Sequence, residues 1–224
     1  MKATITATAK YLPQKTLSNQ ELEKMVDTSN EWILSRTGIE NRHIVSDGEA
    51  TSDMCSQIAK QLLEKSGKSA EDIDLILVAT STPDFLVVST AALVQDKIGA
   101  KNAWGYDIVA ACTGFVYAME TGAKFIESGN YNNVIVIGAD TMSSIIDYTD
   151  RNTCVIFGDG GGGVLLEPTE EEIGIIDSIL HIDGSGHKYL TVPAGGSANP
   201  ASKETLDNKM HYVYQDGKTV YKFA

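Results

Sequence analysis

Cationic side chains are scarce in this 224-residue chain: 18 lysines and arginines stand against 30 aspartates and glutamates, a formal net charge of −12. So acidic a chain repels nucleic acid and anionic membrane surfaces as a whole, and neither is expected as a partner. Any phosphate-bearing ligand must then be held by a few local cations. Cysteine is sparse too. Cys55, Cys112 and Cys154, odd in number and widely spaced, suit neither a disulfide framework nor a zinc site. No metal is expected, and reduced thiols point to a cytoplasmic protein. No apolar run approaches the length that crosses a bilayer. Met1-Lys2-Ala3-Thr4-Ile5-Thr6 lacks the apolar block of a signal peptide and reads as a strand. No repeat, low-complexity tract or charge block marks a linker.

What remains is an ordinary globular balance, 42% hydrophobic and 21% charged, arranged as an alternation. Ile73–Ala79, Tyr106–Val109 and Val134–Ile137 read as buried strands. A helix carrying Cys55, Ile58, Ala59, Leu62 and Leu63 on one face, closed by Gly67, precedes the first of them. Ser89–Ile98 and Cys112–Ser128 read as the helices between strands. This rhythm predicts an α/β fold with a mostly parallel sheet covered by helices. Ser18-x-x-Glu21 and Thr28-x-x-Glu31 predict capping boxes that open two short helices. From Gly184 to Asp207 the composition shifts to Gly, Ser, Pro and Asn, and surface loops are expected there. The helix from Cys112 has almost no polar stripe, so we expect it to be covered on every side, in an inner layer below a second sheet or a second subunit.

Cys112 follows a buried strand in Val109-Ala110-Ala111-Cys112-Thr113-Gly114-Phe115, at the first turn of that helix. Unpaired N–H groups and the helix dipole at such a place stabilise a thiolate and can hold an oxyanion. The small neighbours leave room for an acyl chain. An inert buried cysteine is the usual state of the residue; Cys55 and Cys154 fall in that class, and placement alone leaves Cys112 balanced between the two roles. Gly158-Asp159-Gly160-Gly161-Gly162-Gly163 contains G-x-G-x-x-G, yet Val164–Pro168 after it reads as a strand, and no Gly-Lys-Ser/Thr follows. That excludes a dinucleotide fingerprint and a P-loop, leaving glycines that let backbone approach closely. Trp32 and Arg36 stand one helical turn apart. They could stack on a nucleobase and grip a phosphate, although spacing alone favours a surface cation–π contact between them.

Three segments together resemble β-ketoacyl-acyl carrier protein synthase III, a family of the thiolase superfamily. They are Glu31-Trp32-Ile33 with Arg36-Thr37-Gly38-Ile39-x-x-Arg42, then Ala111-Cys112-x-Gly114-Phe115-x-Tyr117, then Asp150-Arg151-x-Thr153 leading to Phe157-Gly158-Asp159-Gly160. The resemblance runs along essentially the whole chain. It implies a thiolase-like αβαβα layered fold with two similar halves. Residues 1–183 would form the N-terminal half holding the nucleophile, and 184–224 surface loops leading into the next half. It also implies a homodimer formed through the sheet and helix around that nucleophile. The activity implied is the priming step of type II fatty acid synthesis. Cys112 takes a short acyl group, typically acetyl, from coenzyme A, and the acyl-enzyme condenses with malonyl-acyl carrier protein as carbon dioxide leaves.

By the same resemblance, Trp32 and Arg151 sandwich the adenine, while Thr28, Arg36 and Thr37 lie near the nucleotide phosphates. Acyl-coenzyme A is a substrate, and no cofactor is implied. The family's catalytic histidine and asparagine belong to the second half, expected beyond Ala224; His43, His181, His187 and His211 match no catalytic position. Asp84–Ser89 replaces a segment that often carries Phe-Pro-Ser, in a loop that reaches the partner subunit's acyl pocket. Val87 there leaves primer length open. Two rival readings are a related condensing enzyme of polyketide, hydroxymethylglutaryl or long-chain ketone synthesis, and a non-catalytic chain that binds acyl-coenzyme A or a carrier protein.

Overall fold

The computed structural model describes residues 1–223. In chain order it contains β1 (Lys2–Tyr11), β2 (Lys15–Ser18), α1 (Asn19–Leu22), α2 (Asn30–Thr37), β3 (Asn41–Ile44), α3 (Thr51–Ser66), β4 (Leu75–Ala79) and α4 (Thr90–Ile98). There follow β5 (Trp104–Ile108), α5 (Gly114–Glu127), β6 (Val134–Thr141), β7 (Asp159–Thr169), β8 (Leu190–Thr191), α6 (Lys203–Asp207), β9 (Tyr214–Gln215) and α7 (Gly217–Phe223). Contacts divide the chain into two units. One joins Met1–Gln14, Val45–Thr141 and Asp159–Leu180; the other joins Lys15–Ile44, Met142–Gly158 and the residues from His181 onward. This division threads the chain back and forth between the two units.

The first unit is built on a five-stranded sheet in the order β1-β7-β6-β4-β5. β4 runs parallel to β5 and β6, while β7 runs antiparallel to β6 and β1, so β1, β4, β5 and β6 share one direction and the mostly parallel sheet is mixed only through β7. The two-residue period of a strand sends alternate side chains to opposite faces. Ile76 and Val78 of β4, with Ile135 and Ile137 of β6, meet Met54, Cys55, Ile58 and Leu62 of α3 and Val94 of α4. Leu75, Leu77, Val134 and Val136 meet Ala118, Ala123 and Ile126 of α5 on the other side. Each such apolar side chain contributes about 1.5–3 kcal/mol on burial. α3 closes at Gly67 in the left-handed conformation, as its sequence predicts, and Ser89, read as the start of the next helix, caps α4. The glycines of β7 have the close-approach role: a Cβ at Gly161 or Gly163 would come within 2.9 or 2.8 Å of the Ile58 side chain.

α5 is expected below a second sheet or a second subunit, and this chain supplies the cover on one side. Its sheet side is buried through Ala118, Gly122, Ala123 and Ile126, but Val116 is 52% exposed. Within this chain the helix is covered on one side, not all round. Beside it, Trp104 on the edge strand β5 packs against Phe125 with ring centroids 5.5 Å apart.

The second unit holds the antiparallel pair β2–β3, with α1 and α2 between them in the chain, around a core of Leu22, Ile33, Ile146, Cys154, Val155 and Val213. The Ser18–Glu21 capping box is present: Glu21 N donates to Ser18 Oγ at 3.3 Å, and Ser18 N donates to Glu21 Oε2 at 2.7 Å. The Thr28–Glu31 pair does not form the second box; a single cap one residue on takes its place. Ser29, not Thr28, caps α2, accepting from Trp32 N at 3.1 Å. Residues 184–207 are not loops alone. A 3-10 helix at Gly184–Tyr189, the short strand β8 and α6 punctuate them, capped by Asp183 and Ser202. The same Ser and Asp side chains that favour loops also start short helices. Among the described residues no helix is long and apolar enough to cross a membrane.

Candidate active site

The chain leaves the end of β5 and turns sharply before α5. Ala110 has φ −147° and ψ 26°, and Ala111 takes φ +46°, in the left-handed region where an L side chain is strained. The turn is a 3-10 segment, Ala111–Thr113, tied by Thr113 N and Thr113 Oγ1, which donate to the Ala110 carbonyl at 3.2 and 2.8 Å. Cys112 therefore lies in this tight turn just before α5, not in the helix's own first turn. It is exposed, in contrast to Cys55 and Cys154. Burial pushes the thiols of Cys55 and Cys154 up, which keeps them protonated and unreactive.

Cys112 opens on a pocket of about 360 Å³ lined also by Ala79, Ala111, Phe115, Gly138, Ala139, Asp140, Gly162 and Gly163. Small residues make the room: a Cβ on Gly114 would come 3.2 Å from Ala79 Cβ, and one on Gly138 3.0 Å from the Phe115 ring. α5 starts at the turn, so the positive end of its dipole acts there. The sequence reading missed Asp140, whose signal is a carboxylate ending an otherwise apolar strand. Its Oδ1 accepts from Ser81 N at 2.7 Å and from the hydroxyls of Thr80 and Thr82 at 3.2 Å each. Thr82 in turn accepts from Thr141 N at 2.8 Å. Asp140 thereby joins the ends of β4 and β6 into one rim.

Val87 does not line this pocket. With Phe85, Leu86 and Val88 it forms an exposed apolar tip, Val87 itself 96% exposed. The tip has a firm base. Asp84 accepts from Ser52 N at 2.9 Å and from Ser52 Oγ at 2.6 Å, and on the far side Asp107 accepts from Thr90 N and Ala91 N at 2.6 and 2.8 Å.

In the second unit, the cation over Trp32 is Arg151, its Cζ 4.7 Å from the indole centroid, rather than Arg36 one turn away. Arg151 also stands 3.9 Å from Asp27 Oδ2. Its turn is held by Asp150, which accepts from Asn152 N at 3.0 Å and from Thr153 Oγ1 at 3.2 Å. Arg36 is exposed on α2. The Thr37 hydroxyl donates to the Ile33 carbonyl at 2.8 Å and accepts from Ile39 N at 3.1 Å, so it serves the end of the helix. Thr28 Oγ1 is buried without a hydrogen-bond partner. Among the histidines, His211 Nε2 lies 2.9 Å from Thr205 Oγ1, and His187 Nδ1 lies 3.1 Å from the Gly184 carbonyl.

A family profile described as 3-oxoacyl-[acyl-carrier-protein] synthase III matches residues 106–184, which span the Cys112 turn, Arg151 and the glycine-rich strand. The chain is 59% identical over its full length to a beta-ketoacyl-[acyl-carrier-protein] synthase III of Chlorobaculum tepidum, covering 69% of that protein. It is 56% identical to the same enzyme of Koribacter versatilis, covering 68%. Among solved structures, 3-oxoacyl-[acyl-carrier-protein] synthase III of Aquifex aeolicus superposes with a TM-score of 0.88 at 40% identity, over 99% of this chain and 67% of that one. The mixed sheet with helices on both faces is thus a thiolase-like α/β fold, and the chain belongs to the β-ketoacyl-acyl carrier protein synthase III family of acyl-transferring condensing enzymes.

Proposed function

We propose that Cys112 is the acyl-accepting nucleophile of a synthase that initiates fatty acid synthesis from acyl-coenzyme A and malonyl-acyl carrier protein. The observation that carries this is the turn at Cys112: an exposed thiol, set on a strained Ala111, at a pocket of about 360 Å³ below the start of α5. The Cys112 thiolate adds to the thioester carbonyl, backbone N–H groups near the helix start stabilise the oxyanion, and coenzyme A leaves as its thiolate. The acyl group then passes to the carbanion formed as the malonyl group loses carbon dioxide, and the Cys112 thiolate is released. In the family that second step relies on a histidine and an asparagine, for which we assign no residue of this chain.

In the same reading, Trp32 and Arg151 hold the adenine, and Thr28, Arg36 and Thr37 stand near the phosphates. The exposed 85–88 tip, with Val87, reaches a partner subunit's acyl pocket. The edge strand β5 and the open side of α5 support a homodimer, and the free thiols of Cys55, Cys112 and Cys154 a cytoplasmic location. Incubation with acetyl-coenzyme A is expected to add one acetyl group, seen by intact mass and mapped to Cys112, and absent in Cys112→Ser. Acetylation that persists in Cys112→Ser would overturn the assignment.

A further inference from the structure

Trp32 and Arg151 come from segments far apart in sequence, yet the ring and the guanidinium meet at 4.7 Å. What aligns them lies beneath, in a chain of buried polar groups. Arg42 on β3 is 3% exposed, and its Nε and Nη2 both donate to the Val155 carbonyl, the former at 3.1 Å. Val155 lies in the turn that begins at Asp150 and carries Arg151. Arg42 Nη1 donates to Asn19 Oδ1. Asn19, 0% exposed, passes the contact on: its Nδ2 donates to Asn30 Oδ1 at 3.0 Å and to the Ile39 carbonyl at 2.8 Å. Asn30 is the first residue of α2, and Ile39 lies just past its Gly38 cap, so a single amide holds both ends of the helix that bears Trp32, Arg36 and Thr37.

A guanidinium buried against neutral acceptors is costly to desolvate; here its three bonds link the two segments that form the pair. The fit is tight, since a Cβ on Gly158 would come 3.0 Å from Arg42 Cβ. We infer that Arg42 and Asn19 are positioning residues for acyl-coenzyme A recognition, a buried relay that sets the Arg151 turn against the Trp32 helix. The inference rests on the assignment of Trp32 and Arg151 to the nucleotide.

Asn19→Asp is the discriminating variant. It keeps an acceptor for Arg42, and adds an ion pair, but removes the donor that clamps both ends of α2. The rate of Cys112 acylation is measured against concentration for two donors, acetyl-coenzyme A and acetyl-pantetheine, with urea unfolding as the check on folding. The expected result is a rise of about tenfold in the half-saturating acetyl-coenzyme A concentration, with acetyl-pantetheine kinetics within about twofold of the parent. A purely structural role would move both donors together, so equal changes, or none, overturn the relay. If Asn19→Asp does not fold, Arg42→Lys, which keeps the charge and loses the fork, is read by the same criterion. Trp32→Ala is run alongside. If it leaves acetyl-coenzyme A kinetics unchanged, the nucleotide assignment itself fails and the relay with it. If it shows the donor-selective loss and Asn19→Asp does not, the relay alone is overturned.

Discussion

Trp32→Ala and Arg151→Ala are expected to have unequal effects on the use of coenzyme A thioesters, and the closed contact between the two side chains sets the sign. Two stacking contacts of about 3.5 Å each require about 7 Å between the indole and the guanidinium, whereas they stand 4.7 Å apart. An adenine enters only as Arg151 swings outward, exchanging one contact for two. The existing cation–π contact, with Trp32 37% exposed, contributes about 0.5–1 kcal/mol. A base stacked on an aromatic ring contributes about 1–3 kcal/mol. Trp32→Ala loses the stack but has no pair to open, for a net loss of about 0.5–2 kcal/mol, or roughly tenfold in specificity. Arg151→Ala loses the guanidinium–adenine contact but leaves the indole already uncovered; the two changes nearly cancel, and the loss stays within about threefold. The Asp27 partner adds little, because its side chain is fully exposed. The assay is the second-order rate of acyl-Cys112 formation from acetyl-coenzyme A, divided by that from acetyl-pantetheine, for each variant. Equal losses on the two donors, or a larger loss for Arg151→Ala than for Trp32→Ala, would refute the reasoning.

Val87→Phe, at an exposed position where stability should change by no more than about 0.5 kcal/mol, is expected to narrow the range of acyl chains accepted by the assembled enzyme. Each methylene excluded is worth about 0.8 kcal/mol, and an unchanged chain-length profile would show that the tip does not bound the pocket. Thr28→Val removes a buried hydroxyl without a partner, so urea unfolding should show a gain of up to about 1 kcal/mol, while acetyl-coenzyme A use falls if the hydroxyl turns toward a phosphate. A gain in stability with unchanged acetyl-coenzyme A kinetics would remove Thr28 from the binding set. Ala111→Gly relieves a left-handed alanine that costs about 1–2 kcal/mol but frees the unfolded chain by about 0.4–1 kcal/mol. The variant should be slightly more stable and slower to acylate at Cys112, and acylation at the parent rate would mean that the strained turn does not position the thiol.

What was legible in the sequence, and what was not, divides along the reach of the interactions involved. Gly67 at the end of α3, Ser89 before α4 and the Ser18–Glu21 box were all readable, because a cap is decided within four residues. Even so, neighbouring Thr28 and Ser29 offer equivalent hydroxyls, and only the entry angle of the chain selects Ser29. β4 was readable as a strand from its unbroken apolar run, but such a run hides which residues face α3 and which face α5. Alternation implied a mostly parallel sheet, which β1, β4, β5 and β6 form, but the reversed entry of β7 between β6 and β1 depends on pairing with β1, far away in the chain, and no local pattern announces it. The site follows the same rule. Spacing set Arg36 beside Trp32 because both lie on one helix, yet a helical neighbour must compete with any cation that the fold delivers, and the fold delivers Arg151. Nor does local propensity announce a left-handed alanine at 111. That conformation persists because Gly114 and Phe115 seat α5 against Ala79 and Gly138, leaving the chain one path from β5 into the helix. The feature that exposes Cys112 is thus imposed by packing against the neighbouring strands β4 and β6, and in the sequence it is visible only as a run of residues small enough to permit it.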